Sequence, residues 1–208
     1  MDESTWLHEL TSGGATDQDG MQRRILDAAY ELFVTFGLRR TTIEDIAKKA
    51  GVGRPTVYRR FGDKESIVNA VLRRESRRMV MAVGEQVIGL SPPEQVLVRS
   101  FVMGVQTVAR HPLTRRLLES EPEDILPYLT LKASPLLEIG HFLTAEYVRA
   151  RQKEGQMLGF DVDYALEVLG RLFISVIITP SKRLRADDDA SLERLAQEFL
   201  LPLLEKMR

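Results

Sequence analysis

Cysteine is absent from the 208 residues, which excludes disulfides, thiolate nucleophiles and cysteine-ligated metal centres. Histidine is almost as scarce, with three copies, so a zinc site would have to draw on those three and on carboxylates. Long apolar runs are missing too: the longest, residues 172–178, is far too short to cross a bilayer. The opening MDESTWLHEL is acidic and lacks the basic start and apolar stretch of a secretory signal, so the expectation is a cytoplasmic protein with no membrane partner. There is no glycine-rich nucleotide loop and no recognisable Ser-His-Asp arrangement. No catalytic residue, metal or cofactor is therefore assigned, and an enzyme is not expected. Nor does any useful length alternate with the period of two that marks a half-buried strand, which leaves an all-α fold.

What is present is an ordinary apolar fraction of 44% and a net charge of −1 that hides a strong asymmetry. Residues 1–20 carry five acids and no base; residues 21–78 carry 14 Lys/Arg against 7 Asp/Glu; the remainder is mildly acidic. A basic block joined to an acidic body is the distribution expected when one part meets nucleic acid and the other does not. Charge alone equally fits a solvated basic face.

Residues 1–20 hold little to bury and read as a flexible acidic tail. From Met21, the residues Ile25, Ala28, Ala29, Leu32, Phe33 and Phe36 recur at helical spacing, with Gly37 as a stop. Thr41-Thr42 then precede Ile43, Ile46, Ala47 and Ala50, and Glu44 and Asp45 each follow a threonine by three, as a capping box requires. Gly51-Val52-Gly53 predicts a tight turn, and residues 54–61 a short helix with Pro55 tolerated in its first turn. If Val57 and Phe61 face inward, then Arg54, Pro55, Thr56, Arg59 and Arg60 project outward and Tyr58 lies at the edge of that face. Gly62 breaks this helix and Asp63 can cap the next, a connector running to about residue 87. Further helices are predicted at 93–110, 113–119, 124–131, 135–154, 162–179 and 190–205.

The stretch TTIEDIAKKAGVGRPTVYRRFGDKESIV, preceded by RRILDAAYELFVTFGLRR, resembles the DNA-binding domain of the TetR family of bacterial regulators. The resemblance covers about residues 21–70 and implies an N-terminal helix-turn-helix domain (21–68) followed by a C-terminal ligand-binding and dimerisation domain (88–208). A short helix can enter the major groove, where Arg54 and Arg59 offer fork-shaped donors suited to guanine O6/N7 or phosphate, and Thr56 can meet a thymine methyl or a phosphate. The resemblance further implies that Tyr58 lies against the DNA backbone, that Lys64 binds phosphate, and that Thr42 presents a helix N-terminus to another phosphate. Gly53 departs from the family, which often has a serine there, and weaker capping is expected.

In the C-terminal part, Leu166, Leu169, Leu172, Phe173, Val176 and Ile177 form one apolar stripe, with Gly170 allowing close approach. Leu192, Leu195, Ala196, Phe199, Leu200, Leu203 and Leu204 form another, with Pro202 expected to kink or end the last helix. The resemblance implies a homodimer through these last two helices; filling of the monomer core is the other reading. Phe101, Met103, Val105, Leu117, Leu118, Tyr128, Phe142, Tyr147 and Phe173 are candidates to line a pocket for an apolar or amphipathic effector, and each alone reads equally as core. His141 follows Glu138 by three, a spacing that suits metal, with no further ligand in view. The function implied is a ligand-responsive DNA-binding regulator, by default a repressor released from operator DNA. The alternative is a helical small-molecule-binding or scaffold protein without operator function.

Overall fold

In the computed structural model, residues 17–87, 90, 93–131, 134–157, 159–179 and 181–206 are described; they form α-helices with one π turn, and no strand occurs among them. The chain divides into two units, Met1–Ala70 and Val71–Arg208. Most of the tail expected at residues 1–20 lies outside the described residues, and from Asp17 the chain is already helical.

The N-terminal unit begins with α1 (Asp17–Arg40), whose helical path breaks at Gly37. Gly37 has φ 82°, a left-handed value that glycine adopts without steric cost. The Gly37 carbonyl is recovered by the buried Thr41 hydroxyl, which donates to it at 2.8 Å. Ile25, Leu26, Ala28, Ala29 and Phe33 form the buried face of α1. Phe36, which the periodicity places on that stripe, is instead 49% exposed, because the helix breaks at the next residue.

Helix α2 (Ile43–Ala50) starts on a complete capping box: the Asp45 N–H donates to Thr42 Oγ1 at 3.1 Å and the Thr42 N–H to Asp45 Oδ2 at 3.0 Å. It buries Ile46, Ala47 and Ala50, and Gly51 closes it in the left-handed conformation. Helix α3 (Arg54–Phe61) starts at Gly53, which lends no side-chain cap, and Pro55 sits in its first turn, where no intrahelical N–H partner is needed. Val57 is its fully buried anchor, while Phe61 is half-buried. Gly62 ends α3 and Asp63 accepts the Ser66 N–H at 2.7 Å, opening α4 (Lys64–Val87).

The C-terminal unit contains the rest of α4 and then α5 (Pro93–Arg110), α6 (Pro112–Ser120), α7 (Pro122–Leu129), α8 (Ser134–Lys153) and α9 (Val162–Ile178). Three of these begin on proline, a residue whose fixed φ suits the first turn. The last helix comprises α10 (Asp189–Leu195), a π turn (Ala196–Leu200) and α11 (Leu201–Lys206). Of the two outcomes expected at Pro202, a kink or an end, the end does not occur: Leu195, Ala196 and Leu201 all keep right-handed helical angles, and the helix runs on through Pro202. Within the π turn the Leu201 N–H reaches back five residues to Ala196, an extra residue inserted just ahead of the proline whose ring would crowd the carbonyl four residues earlier.

The core of this unit forms where α5, α9 and the last helix meet. Phe101 and Phe173 pack edge to face at 6.0 Å, and Gly104 leaves room for the Phe173 ring, which a β-carbon there would approach to 3.0 Å. Gly170 does the same for Leu137, as its place in the stripe predicts. Gln106 and Arg110 of α5 both donate to Asp189, and Arg99 pairs with Glu193, tying the last helix to α5.

Candidate nucleic-acid interface and C-terminal cleft

Three separate helix starts supply the groove on the N-terminal unit. Thr42 caps α2, Arg54 and Tyr58 lie one turn apart on α3, and Lys64 opens α4; together with Arg39, Thr41, Ile43 and Glu44 they bound a groove of about 380 Å³. Four of the seven residues expected at a DNA contact thus share one concave surface. Arg54 lies over the Tyr58 ring at 5.4 Å from its centroid and donates to the Tyr58 hydroxyl at 3.3 Å. That hydrogen bond first, and then the charges of Tyr58 and Glu44, hold the Arg54 guanidinium above its ordinary pKa. Glu44 is 3.8 Å from Arg54 and is the one carboxylate lining the groove.

Outside the groove, Pro55 and Arg59 are exposed on the next strip of α3, while Thr56 and Arg60 are half-buried. Arg59 therefore continues the basic surface along the helix. Arg39 belongs to the site and was missed in the sequence; the signal available was its place in the Arg39-Arg40 pair just before the capping threonine. The Asp45 carboxyl lies below the ordinary carboxylate range because the Thr42 hydroxyl and backbone N–H both hydrogen-bond to it. An exposed helix N-terminus, a guanidinium fork and an ammonium on one groove form an arrangement suited to successive phosphate oxygens.

The C-terminal unit has a larger cleft, about 720 Å³, between the end of α5, α6, the end of α9 and residues 181–187. Of the candidate effector-binding residues, Leu118 lines it. Val105 and Leu117 are wholly buried, and Phe101 nearly so, in the helix packing. Phe173 packs against that core, Met103 and Tyr147 pack on a smaller cluster of Val83, Val87 and Val96, and Tyr128 is half-buried. Phe142 is 61% exposed. The sequence placed Val176 and Ile177 in the apolar stripe of α9 without marking them as cleft residues, and it did not single out Lys182, because the segment after α9 has no periodicity to place it. His141 meets Asp163 at 2.8 Å, and no group of three or more potential metal ligands occurs among the described residues. No helix among them is long and apolar enough to cross a membrane.

The family profile described as bacterial regulatory proteins of the tetR family matches residues 25–71, the segment that builds the groove. These residues thus carry a DNA-binding domain of the TetR type. Among curated relatives, the uncharacterised regulator YvkB of Bacillus subtilis is 46% identical over 54 residues, 26% of this chain and 29% of its own length. The chain thus spans less than a third of that relative. Over the whole fold, the TetR-family repressor AlkX of a Dietzia strain aligns with a TM-score of 0.63 and 25% identity, covering 88% of this chain and 95% of that one. FadR of Bacillus subtilis, solved with stearoyl-CoA, shares the fold at a TM-score of 0.58 and 19% identity, covering 88% of this chain and 97% of that one. The TetR-type domain is therefore alike in sequence, whereas the C-terminal unit is alike mainly in architecture.

Proposed function

We propose that this chain is a ligand-responsive transcriptional repressor that binds operator DNA as a homodimer. The observation that carries the reading is the convergence of Thr42, Arg54, Tyr58 and Lys64 on one groove beside the exposed Arg59. Phosphate contacts from the groove position the domain, and Arg54 and Arg59 read base edges in the major groove. Its matched relatives are regulators, which supports a binding protein rather than an enzyme, and a DNA-binding repressor works in the bacterial cytoplasm.

Dimerisation is supported by the second apolar face of the last helices. Leu192, Ala196 and Leu200 are buried within the chain, yet Phe199 and Leu203 on the same helix, with Tyr164 and Leu172 on α9, remain exposed. A helix apolar on two sides calls for a second cover. Two copies would set two α3 helices on successive major grooves about 34 Å apart. Effector binding in the C-terminal unit then shifts that spacing through α4, which runs from one unit into the other.

A gel shift of the full chain against the DNA upstream of its own gene tests this. The expected result is a specific complex, weakened at particular base pairs by Arg59→Ala. A variant that binds as well as the parent, or a parent that holds no duplex at low salt, overturns the reading.

A further inference from the structure

The C-terminal cleft has a floor and a rim of different chemistry. Its floor is apolar, with Leu118 of α6 beside Val176 and Ile177 of α9. Its rim carries three cations and two carboxylates, and two of the cations are already matched. Arg185 donates from Nε and NH2 to the two oxygens of Asp187 at 2.9 and 2.8 Å, and Arg115 lies 3.7 Å from Glu119. Lys182 has no carboxylate partner among the described residues. Beside it, Ser181 Oγ accepts the Arg183 N–H at 3.1 Å, which leaves the hydroxyl proton to donate elsewhere.

We infer that this cleft binds an amphipathic monoanion, an alkyl or aryl body on the Leu118–Val176–Ile177 floor with a single carboxylate held by Lys182 Nζ and Ser181 Oγ. The inference deepens the repressor reading by naming the chemical class of its effector, and it rests on that reading for the word effector. The size suits it: about 720 Å³ falls within the roughly 300–1,000 Å³ usual for small-molecule sites. One unmatched ammonium balances one negative charge. A dianionic phosphate head, or a polyanionic one, would carry charge that nothing on the rim balances, because Glu119 and Asp187 already occupy the two guanidiniums, so the rim favours the monoanion. A neutral alcohol would fill the floor and leave Lys182 without its counter-charge.

Calorimetric titration of the full chain with octanoate, octanol and octyl phosphate tests the assignment. Octanoate is expected to bind at least tenfold more tightly than either of the others. Lys182→Met should bring octanoate down to the level of octanol while leaving octanol affinity and the melting temperature unchanged, since Lys182 is exposed. Equal affinities, tighter binding of octyl phosphate, no binding of octanoate, or a preference that survives in the variant would each overturn it. Gel shifts on the same samples keep the two readings apart. Octanoate binding by a chain that holds no duplex sinks the regulator and leaves the acid site standing, while duplex binding without octanoate binding sinks the acid site alone.

Discussion

Glu75 gathers three basic side chains inside the C-terminal unit. It is buried on α4, accepts hydrogen bonds from Arg74 Nε at 2.8 Å and Arg78 NH1 at 3.0 Å, and lies 3.7 Å from His111 Nε2 at the start of α6. Burial is the largest single influence and pushes its pKa up; the hydrogen bonds from His111 and Arg74 and the charges of Arg74 and Arg78 together outweigh it, so the carboxyl lies below its ordinary value. A depressed carboxylate contributes stability above its unfolded pKa and loses it as pH falls through the folded value. Glu75→Ala is therefore expected to cost about 3 kcal/mol at neutral pH, because it removes the buried acceptor that Arg74 and Arg78 share. Its stability should also fall less steeply than the parent's on acidification below the carboxylate range. Chemical denaturation at several pH values measures both; parallel pH curves for parent and variant would remove Glu75 from this role. None of this was legible in the sequence, where Glu75 is one charge in a basic run and its meeting with His111 depends on packing.

At the scale of the element, helix starts decide the groove. Thr42 both begins α2 and faces the groove, and the capping box with Asp45 fixes its backbone in an extended conformation before the first turn. Thr42→Ala removes the acceptor for the Asp45 N–H and is expected to cost about 1 kcal/mol, lowering the melting temperature by roughly 2–4 °C. Thermal unfolding followed by circular dichroism reads that shift. An unchanged melting temperature would mean that the box adds nothing to folding. Local chemistry of this kind was plain in the sequence: the box, the Gly51 stop, the Pro55 first turn and the Asp63 cap all appear where the residues place them. The π turn before Pro202 was not, because proline states only that the regular ladder cannot continue and the surrounding packing chooses how it is relieved.

For the whole molecule, the basic segment 21–78, set between an acidic start and a mildly acidic remainder, decides how the protein should meet DNA. If a dimer neutralises about six phosphates, affinity should fall roughly a thousandfold between 50 and 200 mM salt, through release of counterions. Fluorescence anisotropy over a salt series measures the slope. A flat response would mean that the groove makes no ionic contacts with the duplex.

The fold class, the helix boundaries within a few residues and the basic surface followed from spacing, because amphipathic period, caps and breakers act over a handful of neighbouring residues. The partition of each apolar stripe did not. Periodicity gives Leu200 and Phe199 the same standing, yet one is buried within the chain and the other faces outward. It marks Val105, Leu117 and Phe142 as equal candidates for a pocket, though two are enclosed by helices and the third is exposed. Which apolar residue fills the core, borders a cleft or waits for a second cover depends on contacts between segments far apart in the chain, and only the packed structure fixes those.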